Sequence, residues 1–469
     1  MDVTGKNILI VGAARSGLAA AEFLAARGAQ VTVTDQRPES ALLAETERMR
    51  AIGVGLDLGG HTDHLFVTAD EIVISPGVPL TIAPLQKAAA AGVPIIGEIE
   101  LAARYLKGRI VAITGSNGKT TTTTLIGKIL ADAGLPVQVG GNIGTAAIGL
   151  VAQSREDGFT VLETSSFQLE TINTFRPQVA LLLNVTPDHL DRYPSFEAYR
   201  DAKLQMFRNQ GPDTLAVLNA DDPSTPLALE HLAVNQASFV LFSRTRELEH
   251  GVFARGQELI SRANGHERVI LNRSDIYIRG DHNVENVLAA VCAALACGAS
   301  PDQIRESIRT FHGVEHRLEW VTEVNQIQFF NDSKATNVDA TIKAIEAFPG
   351  NLFVILGGKD KGSDYSPLVP LLNERARGVI LIGAATERIA AALEAKLDDD
   401  ILLTRCHSMQ DAVETGFRQA APGEIILLAP ACASFDMFDN FEHRGQVFKA
   451  ETFRLKEHFE QQQLELSHG

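Results

Sequence analysis

Short, almost uninterrupted apolar runs alternate along this chain with longer stretches in which apolar positions recur at helical spacing. The runs Asn7-Ile8-Leu9-Ile10-Val11, Val31-Thr32-Val33-Thr34-Asp35 and Glu71-Ile72-Val73-Ile74 are β-branched, and an alanine-rich helical pattern fills the interval between the first two to about Ala26. Apolar runs with little polar alternation predict strands covered on both faces, as in a parallel sheet between helices. The pattern restarts near Ile96-Gly97-Glu98. A strand is predicted at Arg109–Ile113 and a helix through Leu125–Leu130, with further strands at Phe159–Glu163, Val179–Asn184 and Leu215–Asn219. Another block begins near Val314 and carries runs at Ile327–Asn331, Leu352–Gly358, Gly378–Gly383 and Ile425–Ala429. The fold class predicted is α/β, as three consecutive α/β domains over 1–98, 99–313 and 314–469: Rossmann-like, then a mostly parallel doubly wound sheet, then Rossmann-like again. Ligands of such sheets bind at the carboxyl ends of strands.

The most informative loop stands at such an end. Thr114-Gly115-Ser116-Asn117-Gly118-Lys119-Thr120-Thr121 lies between the strand and helix of the second block. Its glycines let the backbone approach an anion, the helix start offers N–H groups, Lys119 supplies a cation and Thr120 a hydroxyl for Mg²⁺. Ile113 occupies the place of the first glycine of the usual pattern, so this is a shortened Gly-x-x-Gly-Lys-Thr loop; a glycine turn before an ordinary helix is the plainer account. In the first block Gly12 and Gly17 fit the outer glycines of a dinucleotide fingerprint, with Ala14 between them and Asp35 where a ribose-binding carboxylate would sit, which also suits a nicotinamide oxidoreductase.

Other polar residues follow strands directly. Glu163 could complete a Mg²⁺ site beside a triphosphate, or be a surface or capping residue. His189, in Asn184-Val185-Thr186-Pro187-Asp188-His189, could bind a metal or substrate, or be a loop histidine among turn formers. Lys203 in a helical stretch reads as a solvated charge. Asn283 and Asn286 lie one helical turn apart and could offer amides to adenine, or simply follow a helix cap. Net charge of −16 argues against nucleic acid or an anionic membrane as partner. No apolar run reaches membrane-spanning length and no signal-peptide pattern opens the chain, so a cytoplasmic protein is expected. Cys292, Cys297, Cys406 and Cys432 lack zinc-site spacing and read as buried free thiols.

Taken together, the loop at 114–120, Glu163-Thr164-Ser165-Ser166-Phe167-Gln168, residues 184–191, Asp281-His282-Asn283 and Asn331-Asp332-Ser333-Lys334-Ala335-Thr336-Asn337 resemble the Mur ligases of peptidoglycan synthesis over essentially the whole chain. The closing Ser434-Phe435-Asp436 to Phe441-Glu442-His443-Arg444-Gly445 resembles the branch that joins D-glutamate to UDP-N-acetylmuramoyl-L-alanine. The resemblance implies an ATP-dependent, ADP-forming amide ligase, monomeric, working through an acyl phosphate and a tetrahedral intermediate. It implies ATP contacts at Gly115, Ser116, Asn117, Gly118, Lys119, Thr120, Thr121, Asn283, Asn286, Arg317 and Asp332. Two Mg²⁺ sites would use Thr120, Glu163, His189 and a carbamate on Lys203. Ser16, Asp35, Arg37, Ser75, Gly77, Asn142 and His189 would bind the UDP-linked substrate. Thr336, Lys361, Ser434 and Phe441 would bind D-glutamate, with Lys359 as an extra nearby cation. The nearest alternatives are the diaminopimelate-adding relative, whose Asp-Asn-Pro-Arg signature is absent, folylpolyglutamate synthase, and a non-catalytic UDP-sugar binder.

Overall fold

The computed structural model describes residues 2–189, 192–278, 280–360 and 362–468. Three sheets follow one another along the chain. In the first, Asn7–Val11 lies between Gln30–Asp35 and Glu71–Ile74, with Gly55–Leu58 and Ile95–Gly97 at the edges, all parallel. The strand order reverses at Asn7–Val11, so a crevice opens at its carboxyl end, where the glycine turn stands. Gly17 packs there without room to spare: a Cβ would stand 2.0 Å from the Gly12 carbonyl oxygen. The helix Arg15–Ala25 can therefore lie close against its strand.

In the second sheet Arg109–Thr114 runs parallel between Phe159–Glu163 and Val179–Leu182, with Val137–Gly141 at one edge. Leu215–Asn219, Ser238–Ser243 and Gly251–Arg255 extend it in parallel, and Glu258–Ala263 and His266–Asn272 finish it antiparallel. That final hairpin was not predicted. Its strands Glu258–Ala263 and His266–Asn272 each bury only two consecutive apolar residues, Leu259-Ile260 and Ile270-Leu271, and are otherwise largely polar, with Arg262 pairing with Glu247 and Glu267. The third sheet pairs Glu319–Val324 antiparallel with Ile327–Asn331, then continues in parallel through Ile425–Leu428, Leu352–Gly357, Ala376–Ile382 and Leu402–Arg405.

Residues up to Ile276 with Asp281–Phe311 form one compact unit, holding the first two sheets, and Tyr277–Gly280 with residues from His312 onward form another. Each core is built from the predicted runs: Ile10, Val11, Val33, Val111, Ala112, Val161, Leu181, Val354, Ile355, Ile426 and Leu427 are fully buried. Each large apolar side chain so covered contributes about 1.5–3 kcal/mol. The helix Lys119–Asp132 carries a threonine run that is poor helix material by propensity; packing against Asp281–Ala296 holds it, with Thr122 and Thr123 buried. Among the described residues no helix is long and apolar enough to cross a membrane, and all four cysteines are buried and free.

Candidate active site

The loop after Arg109–Thr114 is fixed from the next strand's end. Ser116 N–H donates to the Asn184 carbonyl at 2.9 Å and Asn117 N–H to Asn184 Oδ1 at 2.8 Å. The Ser116 hydroxyl donates to the Thr186 carbonyl at 2.9 Å and lies 3.1 Å from the Tyr199 hydroxyl. Gly118 takes φ 82°, and a Cβ there would stand 2.1 Å from Asn286 Oδ1. Lys119 Nζ donates to the Gly115 and Ser116 carbonyls, both at 2.8 Å, closing the loop around its own cation. Such a ring of backbone and ammonium fits the phosphates of a nucleotide.

Thr120 and Glu163, distant in sequence, meet beneath the loop. The Thr120 hydroxyl donates to Glu163 Oε2 at 2.8 Å, and Asn142 Nδ2 donates to Oε1 at 2.9 Å. Glu163 is only 2% exposed and both partners are neutral, so a cation beside it would relieve the cost of the buried charge. Among the described residues no three His, Cys, Asp or Glu side chains form a ready metal site. The donors suit Mg²⁺, which takes one or two carboxylates and leaves its other positions to phosphate and water.

Lys203 overturns the expectation of a surface charge. Its helix, Phe196–Leu204, turns it inward to 1% exposure, where Nζ donates to the Gly115 carbonyl at 2.9 Å and lies 4.4 Å from the Tyr199 ring centroid. Burial, and then the Lys119 charge, bring its ammonium down to about 7. His189 sits in an exposed turn with φ 53°, its imidazole 5.0 Å from the Phe167 ring and 6.1 Å from that of Tyr199. Tyr199 thus touches the phosphate loop, Lys203 and His189 together. Thr121 is half-buried on the loop's helix. Asn286 donates to Asn283 Oδ1 at 2.9 Å and accepts from the Thr122 hydroxyl at 3.3 Å, so part of its amide braces the loop.

At the crevice of the first sheet, Asp35 accepts from Ala13 N–H at 2.7 Å and from Arg37 through Nε and Nη2. The Arg37 hydrogen bonds hold its carboxyl down at about 2. The Ser75 hydroxyl donates to the Gly12 carbonyl at 3.0 Å. Ser16 is half-buried on the glycine turn, and Gly77 and Asn142 are exposed.

The second unit gathers its own polar loops. Asp332 is buried at the end of Ile327–Asn331, and burial pushes its carboxyl up to about 7 against the pull of Arg317, which is exposed. Ser333 donates to the Phe441 carbonyl at 2.8 Å, and Thr336 N–H donates to the Lys334 carbonyl. Arg444, fully buried, ties these loops together: it donates to the Ser333 hydroxyl and carbonyl and to the carbonyls of Cys432 and Ala433, next to Ser434. Lys361 lies outside the described residues; Lys359 N–H donates to the Ala433 carbonyl at 2.8 Å. Asn184, Tyr199 and Arg444 were not singled out from the sequence. Of these, Asn184 carried a signal as a polar residue closing an apolar run, and Arg444 as part of the closing motif Phe441-Glu442-His443-Arg444-Gly445.

The chain matches family models described as a Mur ligase MurD-like N-terminal domain over residues 6–97, a Mur ligase middle domain over 113–294 and a Mur ligase glutamate ligase domain over 316–432. It is 51% identical to the UDP-N-acetylmuramoylalanine–D-glutamate ligase of Acidobacterium capsulatum, covering 96% of each chain. It is 48% identical to the one from Koribacter versatilis, over 96% of this chain and 97% of that one. Among solved structures, a UDP-N-acetylmuramoyl-L-alanyl-D-glutamate–2,6-diaminopimelate ligase matches with TM-score 0.57 at 20% identity, covering 91% of this chain and 87% of its own. The UDP-N-acetylmuramate-alanine ligase of Thermotoga maritima matches with TM-score 0.56 at 19% identity, over 96% and 99%. These two share the fold.

Proposed function

This chain belongs to the Mur ligase family, and on that premise we propose how its residues divide the work of its reaction. The reaction is the ATP-dependent joining of D-glutamate to UDP-N-acetylmuramoyl-L-alanine in peptidoglycan precursor synthesis. A carboxylate is a poor electrophile. Its oxygen therefore attacks the γ-phosphorus of ATP, ADP departs, and an acyl phosphate forms. The D-glutamate amine adds to the activated carbonyl, and the tetrahedral intermediate expels phosphate as the amine's proton leaves. The protein mainly aligns reactants and neutralises phosphate charge.

In this reading the loop from Gly115 to Thr121 cradles the triphosphate and Lys119 offsets its charge. Thr120 and Glu163 would hold one Mg²⁺; His189 and a carbamate on Lys203 would serve a second. The ions supply charge neutralisation at the transferred phosphoryl group. Asn283, Asn286, Arg317 and Asp332 are assigned to adenine, phosphate and ribose. Ser16, Asp35, Arg37, Ser75, Gly77, Asn142 and His189 are assigned to the UDP-linked substrate, and Thr336, Lys361, Ser434 and Phe441 to D-glutamate. We assign domains 1–98, 99–313 and 314–469, a monomer, and a cytoplasmic location.

The observation that carries the assignment of chemistry is the buried Thr120–Glu163 pair under the phosphate loop. Phosphate release with ATP, Mg²⁺ and UDP-N-acetylmuramoyl-L-alanine tests it, with D-glutamate, L-glutamate, meso-diaminopimelate and L-lysine compared as acceptors. Turnover confined to D-glutamate and abolished in Glu163→Ala is expected. Turnover with another acceptor, or an active Glu163→Ala, would overturn the reading.

A further inference from the structure

We propose that Arg192 is a positioning residue that keeps the Ser75–Val78 turn in register with the turn carrying His189; the inference rests on our assignment of Ser75 and Gly77 to the UDP-linked substrate. Backbone hydrogen bonds tie Arg192 to His189: the N–H groups of Arg192 and Tyr193 both donate to the His189 carbonyl at 3.0 Å. Its guanidinium then passes 3.9 Å from the centroid of the Phe167 ring. The same ring meets the His189 imidazole edge-on and stacks on Tyr193 at 5.7 Å. Beyond Phe167 the side chain reaches the first sheet's crevice, where Nη1 donates to the Pro76 carbonyl at 3.0 Å and Nη2 to the Val78 carbonyl at 3.4 Å.

The turn it reaches is small and closed on itself, with Val78 N–H donating to the Ser75 carbonyl at 3.0 Å. Ser75 anchors it to Gly12 from one side, and Arg192 holds two of its carbonyls from the other. A guanidinium suits that task because it has only donors, set in a rigid plane, and stacks on an aromatic face. Glu170, 3.9 Å from Nη2, balances its charge without occupying the fork. The consequence is geometric. A misplacement of about 1 Å between reacting groups can cost about 100-fold in rate, and Arg192 joins the seat of the acyl substrate to the segment bearing His189. Its loss should therefore be felt through one substrate more than the others.

The test is phosphate release with each of the three substrates varied in turn, for wild type, Arg192→Gln, Arg192→Lys and Ser75→Ala, with calorimetric binding of UDP-N-acetylmuramoyl-L-alanine in the absence of ATP. Arg192→Gln should raise KM for the UDP-linked substrate about tenfold and lower kcat, with KM for ATP and D-glutamate unchanged within about twofold. Arg192→Lys, which can satisfy one carbonyl at a time, should recover part of the loss. A purely structural role would lower the melting temperature and the active fraction while leaving all three KM values alone, and that result overturns the proposal. Should Arg192→Gln not fold, Arg192→Lys decides: an unchanged KM for the UDP-linked substrate refutes the role. If Ser75→Ala weakens binding while the Arg192 variants do not change KM, the seat stands and the link fails. If Ser75→Ala also binds undiminished, the seat itself is misassigned and the link falls with it.

Discussion

Replacing Lys203 is the sharpest perturbation this site offers, because its environment changes the lysine's chemistry as well as its charge. An ordinary lysine with a pKa of 10.5 leaves roughly 0.3% of its amine unprotonated at pH 8, whereas one brought down to about 7 leaves about 90%, a gain near 300-fold. The neutral amine is the form that adds CO₂, and the carbamate so made is an anion able to attract Mg²⁺ where the ammonium repels it. Carbamate formation on Lys203 is therefore expected to rise as pH rises through about 7. Lys203→Ala should lose at least about 100-fold in kcat/KM and regain part of it with added acetate or propionate, whose carboxylate replaces the missing anion. Lys203→Arg should be inactive and beyond rescue, since its guanidinium stays charged. Phosphate release in CO₂-depleted buffer, with and without added bicarbonate, measures the wild-type dependence, and labelling with ¹³CO₂ followed by NMR detects the adduct. Wild-type turnover in Lys203→Arg would refute the reasoning, as would full activity in Lys203→Ala without any carboxylate.

Glu163→Gln keeps an oxygen for the Thr120 hydroxyl but removes the charge; kcat should fall about 100-fold and the Mg²⁺ dependence shift to higher concentration, with melting temperature little changed. Gly17→Ala places a Cβ on the Gly12 carbonyl, so unfolding in urea should show a loss of about 2–4 kcal/mol and UDP-substrate binding should weaken with it. Glu98 is buried, accepts one hydrogen bond, from Ile148 N–H, and is pushed up to about 7 by that burial. Its folded pKa lies above the unfolded 4.5, so its contribution is fully present below 4.5 and lost as pH rises to 7. Glu98→Gln should accordingly gain most over wild type in melting temperature above pH 7 and least near pH 4. The reverse sign applies to Lys203: the advantage of Lys203→Met in CO₂-free buffer should be full below pH 7 and shrink as pH rises from 7 towards 10.5, as thermal scans across pH would show.

The chain's local pattern determined most of its buried strands. A strand covered on both faces must be apolar throughout, so Asn7–Val11, Arg109–Thr114, Phe159–Glu163 and Leu352–Gly357 were legible as runs, and Gly-x-x-Gly-Lys-Thr was legible as a glycine loop between strand and helix. The outer hairpin of the central sheet was not, because its strands bury only two consecutive residues each and are otherwise polar and largely exposed. The chemistry of Lys203 was also beyond local reading. Its helix is polar on average, and which of its faces turns inward depends on Tyr199 and on Gly115, 88 residues earlier. The Thr120–Glu163 hydrogen bond spans 43 residues and the Arg192–Pro76 contact 116. The first pair exists because the strand order sets the carboxyl ends of Arg109–Thr114 and Phe159–Glu163 side by side, and the second joins segments that follow strands of two different sheets. Strand order is set by packing and hydrogen-bond register across the whole sheet, so tertiary structure alone decided which of the legible residues became a site.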